Sequence, residues 1–524
     1  MIRIYILIVV LLCAVGVSAS DPEEVHATND TSLVHYKVES QVSFSDGKTP
    51  LWLNANKYGL SSLASTNGYL RASVVRSLQA DSIRKWSLGY GLDIVGATHY
   101  TTHAFVQQAY VQLRWLQGVL TLGSKEYPME MKNNRLSSGS QTLGINARPV
   151  PQLRLALPDY WNIPFTHGCL QLKGHVAWGM LTDANWQQSF TQGVQKHGKD
   201  ILYHSKAAYL RLGSGKATAP FSVELGLEMA TLFGGNLCLG MEDGTLKYQQ
   251  MGTGLKAFWN SFVPGGADPG EGQYENVEGN HLGSWLIRLN YNTDQWYCGL
   301  YGDHFFEDHS GMFLLDYNGY DGGENYLQKK DDRYYMYKLK DMMLGLEVRH
   351  KKGRWFRSLV LEYLYTKYQS GPFNHDHTAN IPDHLAGIDD YYNHSLYPGW
   401  QHWGQVMGNP LYRSPIYNDD GSIYVKNNRF ADVHLGLEGA PATQWRYRML
   451  ATWQEGLGTY DEPYTKKHHT MSVMLEADYH IMPGWLLRGA YGMDFGHILG
   501  SNAGFQFTLC RSGVFQARKK GKKL

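Results

Sequence analysis

Cysteine is scarce in this sequence, and its spacing forms no recognisable site. The 524 residues contain five Cys, and Cys169, Cys238, Cys298 and Cys510 are far apart with no CxxC pair among them. Zinc ribbons and dithiol redox centres need closely spaced cysteines. The pattern therefore excludes both, and it assigns no disulfide.

Long apolar runs and a charge imbalance are also missing. Beyond the first nineteen residues no stretch offers the 18 consecutive apolar residues that indicate a spanning helix. Lys and Arg total 48 against 47 Asp and Glu, a net charge of +1. The chain therefore lacks the excess of positive charge that is typical of nucleic-acid-binding proteins. No Pro/Ser-rich linker divides the chain, which favours one large closed unit over several soluble domains.

Glycine and aromatic residues are plentiful instead. The chain has 57 Gly, 36 Tyr and 15 Trp, a composition typical of short strands, tight turns and interfacial aromatic belts. Its mean hydropathy of −0.38 would suit a soluble protein. In an outer-membrane barrel, however, only alternate strand residues face lipid, so a low average is expected there too.

The two ends of the sequence have distinct compositions. Residues 1–19 combine Arg3, the apolar run Ile4–Val15 and small residues at 17–19, which predicts a signal peptide. Residues 20–515 are predicted to form the barrel. Residues 516–524, QARKKGKKL, are predicted to be a basic, solvated C-terminal tail.

Apolar and polar residues alternate with a period of two in many segments, such as Ser222–Met229, Trp285–Tyr291 and Asp432–Glu438. This alternation indicates strands with one apolar and one polar face. A soluble sandwich would also show it. Ionisable residues on the polar face and Trp or Tyr at the ends of apolar strips favour an all-β transmembrane antiparallel β-barrel.

About eighteen strands are predicted, with starts near residues 33, 69, 86, 104, 118, 151, 169, 203, 221, 282, 294, 343, 355, 424, 444, 470, 484 and 504. Connections after odd strands are mostly long, including 124–150, 180–202, 233–281, 305–342, 367–423 and 456–469. Connections after even strands are mostly short. Long extracellular loops and short periplasmic turns are typical of outer-membrane barrels.

The first candidate site is the charged, stiff stretch Gly123–Pro164. Its first part, up to about residue 150, is predicted to be external, with Arg154 in the next strand and Trp161 in a periplasmic turn. The charged loop either folds inward over the lumen or reaches outward to a ligand, and we expect Glu126, Lys132 and Arg135 to point inward. The candidate binding residues in this loop are Lys125, Glu126, Lys132, Asn133, Asn134, Arg135 and Arg148.

The second candidate site is the loop sequence LAGIDDYYNHSLYPGWQHWGQ. Aromatic faces stack on sugar rings, while carboxylates and amides bind hydroxyl groups. The alternative is that these aromatic residues pack on one another above the barrel mouth. The candidates are Asp389, Asp390, Tyr391, Tyr392, Trp400 and Trp403.

Catalytic and metal-binding patterns lack specificity. The series Asn374-His375-Asp376-His377, with His384, Asp389 and His394, contains metal-ligand residue types but no motif that fixes a geometry. Carboxylate pairs such as Glu126 with Glu130 are too common to indicate a glycosidase, and no GxSxG motif marks a nucleophile. We therefore predict no enzyme activity, no metal and no cofactor.

Three long motifs resemble the Wzi-type capsule assembly proteins: SKEYPMEMKNNRLSSGSQTLGINARPVPQ, KGHVAWGMLTDANWQ and GIDDYYNHSLYPGWQHWGQVMGNPL. The resemblance implies an occluded outer-membrane barrel of about eighteen strands. It also implies a non-enzymatic, lectin-like role in holding capsular polysaccharide at the cell surface. The implied partners are capsular or other surface polysaccharide and outer-membrane lipid, with capsule export machinery as a further candidate. The alternatives are a porin and a barrel enzyme that acts on glycan or lipid.

Overall fold

The computed structural model describes residues 34–515 except 79–84, 214–218, 241–244, 267–276, 308–314, 317–322, 329–333, 336–339 and 376–383. The predicted signal peptide and basic tail lie outside these residues.

Eighteen antiparallel strands form a closed barrel in the outer membrane, as predicted. Each strand pairs with the next along the chain, and the first pairs with the last from Val34↔Phe515 to Asp46↔Ala503. The strands are β1 Val34–Asp46, β2 Thr66–Arg76, β3 Trp86–Thr98, β4 Ala104–Trp115, β5 Gly118–Ser124, β6 Gln152–Asn162, β7 Leu170–Met180, β8 Leu202–Leu212, β9 Phe221–Phe233, β10 Asn280–Asn292, β11 Trp296–Glu307, β12 Met342–His350, β13 Ser358–Tyr365, β14 Phe430–Gly439, β15 Trp445–Gly458, β16 Pro463–Met482, β17 Trp485–Gly496 and β18 Asn502–Phe515.

The alternating apolar and polar side chains face the directions that a membrane barrel requires. Along β3 the exposed side chains are apolar, with Leu92 at 53% and Ile94 at 51%, whereas Asp93 between them is 1% exposed. A soluble sheet would bury the apolar set, so this inverted pattern places the apolar face in lipid and the polar face in the lumen. Trp86 and Trp115 stack at the periplasmic ends of β3 and β4, as an interfacial aromatic belt would.

Several predicted boundaries are wrong by a few residues. β14 begins at Phe430 rather than near 424, and β16 begins at Pro463 rather than near 470. The connection predicted at 456–469 is therefore only residues 459–462, closed by a hydrogen bond from the Glu462 backbone N–H to the Thr459 hydroxyl at 2.8 Å. The polar residues before Thr470 resembled a loop because the strands continue beyond the apolar belt. Trp161, predicted in a turn, lies in β6 together with Arg154.

Within the described residues, three short helices lie in the connections, and none of them is long and apolar enough to cross a membrane. Helix α1, Leu51–Asn54, lies inside the lumen, where the Leu51 backbone N–H donates to Asp494 at 3.1 Å. The remaining loop elements are α2 Ala184–Phe190, α3 Leu255–Phe262, the three-stranded sheet His197–Lys199, Gly235–Gly240 and Leu246–Met251, the hairpins Leu315–Asp316 with Tyr334–Tyr335, Ser370–His375 with His384–Ile388 and Gln401–His402 with Gln405–Val406, and 3-10 turns at Gly323–Asn325 and Pro415–Tyr417.

The wall is low where the first candidate loop begins. β5 has only seven residues, and its last residue, Ser124, lies opposite Ala109, five residues after the start of β4. The chain therefore leaves the sheet below the barrel rim. From this position the loop 125–151 enters the lumen.

Candidate functional site

The loop 125–151 crosses the lumen and is held there by ion pairs with the barrel wall. Lys132 contacts Asp303 of β11 at 2.6 Å, and both side chains are almost completely buried. Arg135 contacts Glu438 of β14 at 3.0 Å. Two of the three residues expected to point inward thus bind acidic residues of the lumen face.

The beginning of the loop is fixed in the same way. Glu126, the third residue expected to point inward, accepts from Arg71 of β2 at 3.0 Å. Asn133 donates to Glu347 of β12 at 2.8 Å. Asn134 does not reach the wall but closes a local turn, donating to the Met129 carbonyl at 3.0 Å. The first candidate set therefore forms part of a plug, in which Asn134 and Arg135 keep exposed surface.

The second candidate loop, 366–429, packs on this plug through its aromatic residues. Tyr391, Tyr392 and Trp400 are 3%, 0% and 1% exposed. The Tyr392 hydroxyl donates to the Gln141 carbonyl, and Trp400 Nε1 donates to the Thr142 carbonyl at 3.1 Å. Tyr392 and Trp400 thus join the two inward loops, whereas the Tyr391 hydroxyl donates to Asp341 at 3.1 Å. Because all three rings are buried, they are not available to stack on a sugar in this conformation.

The other residues of this loop are also held by protein groups. The Tyr424 hydroxyl donates to Asp390 at 2.7 Å, and burial raises the pKa of this carboxyl group. Asp389 is 7% exposed. Trp403 is half-buried, and its ring lies 4.5 Å from the Arg148 guanidinium group.

An open cleft of about 590 Å³ lies on the external side, between the connections 181–201 and 234–279. We call it the amide cleft, because five of its thirteen lining residues carry side-chain amides. Tyr248 stands at its edge with 75% of its side chain exposed. The lining includes Asn185, Gln188, Lys199, Asp200, Asn236, Gln249 and Gln250.

The amide cleft is a built feature, because hydrogen bonds join its parts. Gln187 on α2 donates to Asp183 at 2.9 Å and accepts the backbone N–H of Gly198 in the three-stranded sheet at 2.9 Å. Asp183 in turn accepts the Trp403 backbone N–H at 2.9 Å, which connects the cleft to the loop 366–429. Amides both donate and accept, so this surface can bind vicinal hydroxyl groups.

Sequence reasoning missed the amide cleft. Its residues come from four short segments, 184–188, 197–200, 236–238 and 248–250, that are not adjacent in the sequence. The available signals were the Gln187-Gln188 and Gln249-Gln250 pairs beside aromatic residues in external connections. Neither pair is specific by itself.

Metal-binding geometry does not support the histidine series. Asp376 and His377 lie outside the described residues. Among the residues that are described, no group of three His, Cys, Asp or Glu side chains is arranged to hold a metal ion. His394 instead uses Nδ1 to accept the backbone N–H groups of Leu396 and Tyr397 at 3.0 and 3.2 Å.

Comparison with solved structures supports the outer-membrane barrel fold. The chain is similar to Wzi from Escherichia coli, described as an outer membrane protein involved in group 1 capsule assembly and a carbohydrate-binding β-barrel. The identity is 13% and the TM-score 0.56, covering 91% of this chain and 83% of Wzi. At this identity the likeness shows the fold alone.

Two other barrels match less well. Acinetobacter baumannii OccAB4 has 8% identity and a TM-score of 0.44, over 93% of this chain and 100% of OccAB4. Pseudomonas aeruginosa OprD has 7% identity and a TM-score of 0.43, over 93% of this chain and 96% of OprD. No family model and no curated protein sequence matches the chain.

Proposed function

We propose that this protein binds capsular or other surface polysaccharide at the amide cleft and helps to assemble or retain the capsule at the cell surface. The observation that carries the proposal is the open, amide-lined cleft on the external loops, with Tyr248 exposed at its edge. The likeness to a carbohydrate-binding barrel supports the same function.

The chemistry of the cleft suits a polyhydroxylated polymer. Gln188, Asn236 and Gln250 each present an exposed amide that both donates and accepts. The Tyr248 ring offers a flat apolar face for a sugar ring. Each such contact is weak, but a polymer that engages many copies of the protein is retained through avidity. Binding of this kind needs neither turnover nor a cofactor.

The plugged lumen favours binding over passage. A diffusion channel requires a continuous aqueous path, whereas this plug is tied to β2, β11, β12 and β14 by the contacts described above. The purified barrel should therefore conduct little in planar bilayers. Frequent, large conductance steps from the wild-type protein would favour the porin alternative.

Glycan binding by the purified full-length barrel tests the proposal directly. We expect binding to the capsule of its own strain and not to an unrelated polysaccharide. Tyr248→Ala should weaken binding about tenfold, equivalent to about 1.4 kcal/mol, while Tyr248→Phe keeps most of it because the ring remains. Trp259→Ala is the matched control, since this ring is 63% exposed in the same connection but does not line the cleft. Equal binding by all variants would rule out the amide cleft.

A further inference from the structure

A second cavity, of about 100 Å³, lies inside the barrel between the plug and the walls of β6 to β9. It is separate from the amide cleft. Three cationic side chains line it, Lys125 and Arg148 from the plug and Arg154 from β6, together with polar groups that include Tyr127, Gln152 and His175.

Arg148 donates to the Thr101 and Thr102 hydroxyls at 2.7 and 3.2 Å. Lys125 and Arg154 have no carboxylate partner among the described residues. Lys125 Nζ donates to the neutral Gln112 amide oxygen at 2.7 Å. Arg154 Nε is buried and has no hydrogen-bond partner in the described part of the chain. A guanidinium group stays charged in proteins, and a buried charge without a partner is costly.

The acidic residues that line the cavity are already engaged. Glu130 contacts Lys173 at 2.7 Å. Glu228 accepts from the Tyr209 hydroxyl at 2.6 Å and from the Ser140 hydroxyl at 3.3 Å. Neither carboxylate hydrogen bonds to Lys125 or Arg154, so both cations face the cavity without a directly paired carboxylate.

Lys125 and Arg154 lie close together. Both contact the ring of Tyr127, with Lys125 Nζ at 5.8 Å and Arg154 Cζ at 4.0 Å from its centroid, so they are less than 10 Å apart. Burial, and then repulsion from Arg154, lowers the pKa of Lys125 to about 8. A bound anion would offset both the cost of burying the Lys125 charge and its repulsion from Arg154.

We propose that this cavity binds a small oxyanion, a carboxylate or phosphate group, between Lys125 and Arg154. The group comes either from a free anion or from an acidic sugar or phosphate of the polymer. In both cases the anion would neutralise the positive charges of Lys125 and Arg154. The site does not depend on sugar binding at the amide cleft.

Calorimetric titration of the full-length barrel with sodium phosphate, sodium acetate and sodium glucuronate tests this site, with neutral glucose as the blank. We expect at least one oxyanion to bind and glucose not to. Arg154→Gln and Lys125→Met should each weaken binding at least tenfold. Arg211→Gln is the matched control: Arg211 also stacks on a tyrosine, 3.6 Å from the Tyr160 ring, but already has a carboxylate partner, Glu224, at 2.8 Å.

The outcomes separate the sources and the two proposals. Binding of phosphate or acetate indicates a free anion, and binding of glucuronate alone indicates an acidic sugar; both support the site. No binding by the wild type, or unchanged binding by folded Arg154→Gln and Lys125→Met, overturns it. If either variant fails to fold, protection of Lys125 from acetylation by phosphate in the wild type is the deciding measurement, and absence of protection overturns the site. Tyr248→Ala should bind phosphate normally, so failure of the amide cleft would not be mistaken for failure here.

Discussion

Breaking the Lys132–Asp303 pair should loosen the plug. The two side chains are 2% and 0% exposed and their charged atoms lie 2.6 Å apart. Removing one partner of a buried ion pair costs about 3–5 kcal/mol, because the other charge remains buried. In Lys132→Met, Asp303 would retain a donor, the Gln141 amide at 3.2 Å. We therefore expect the free energy needed to displace the plug to fall by about 3 kcal/mol, which corresponds to a roughly 100-fold larger population of displaced plug.

The chain contains a matched control for this variant. Lys426 and Asp420 also lie 2.6 Å apart, but their side chains are 28% and 51% exposed. Exposed pairs contribute about 0–1 kcal/mol, so Lys426→Met should behave like the wild type. The two variants remove the same type of contact at the same distance and differ mainly in burial.

Single-channel recording in planar bilayers measures the population of displaced plug. Channels of the Lys132→Met variant should open far more often than those of the wild type. Channels of the double variant Lys132→Met, Asp303→Leu should open as rarely as the wild type, since an apolar pair can replace a buried ion pair without loss of stability. The heat-induced shift in gel mobility verifies that each barrel has folded. If Lys132→Met and Lys426→Met open equally rarely, this ion pair does not hold the plug, and our reasoning about its position is wrong.

Three further predictions concern the plug and its support. Tyr392→Phe should destabilise the barrel by about 1–3 kcal/mol in thermal unfolding, because the hydroxyl also accepts the Asn409 backbone N–H at 2.9 Å and its loss leaves buried groups unpaired. Burial, and then Lys196, lowers the pKa of His394 to about 3. The unfolded loop therefore binds more protons between about pH 3 and 6.5. The hydrogen-exchange protection factors in 384–429, which correct for slower intrinsic exchange at low pH, should be highest above pH 6.5 and decrease as the pH falls, but less so in His394→Gln. Replacing residues 129–141 by a short Gly/Ser linker should give a permanently conducting barrel, and an unchanged bilayer current would show that other segments close the lumen.

The strands were predictable because their pattern is local. Within Asp432–Glu438, Val433 is 43% exposed to lipid while its neighbour Asp432 is 0% exposed. One membrane face and one lumen face impose this alternation on each strand independently. No knowledge of the partner strand is needed, so the number of strands and most of their starts follow from the sequence alone.

The plug and the amide cleft were not predictable in the same way, because their contacts are distant in the sequence. Lys132 and Asp303 are 171 residues apart, and the cleft combines residues from 184 to 250. The candidate aromatic residues illustrate the difficulty. Tyr and Trp can bind sugars or pack in a core with the same composition, and only the fold shows that Tyr392 and Trp400 are buried.

The inward direction of the charged loop nevertheless has a physical cause that strand register reveals. Asp303 pairs with Met343 on one side and Leu286 on the other, and Glu362 pairs with Gly345 and His434. None of these cross-strand neighbours is Lys or Arg, so the wall does not compensate the two carboxylates with directly opposite cations. These carboxylates need hydrogen-bond donors from outside the barrel wall. The loop 125–151 supplies them, because it leaves the sheet below the rim after the short strand β5. Once hairpins have fixed the register, carboxylates such as Asp303 and Glu362 therefore favour a loop that folds inward and supplies donors.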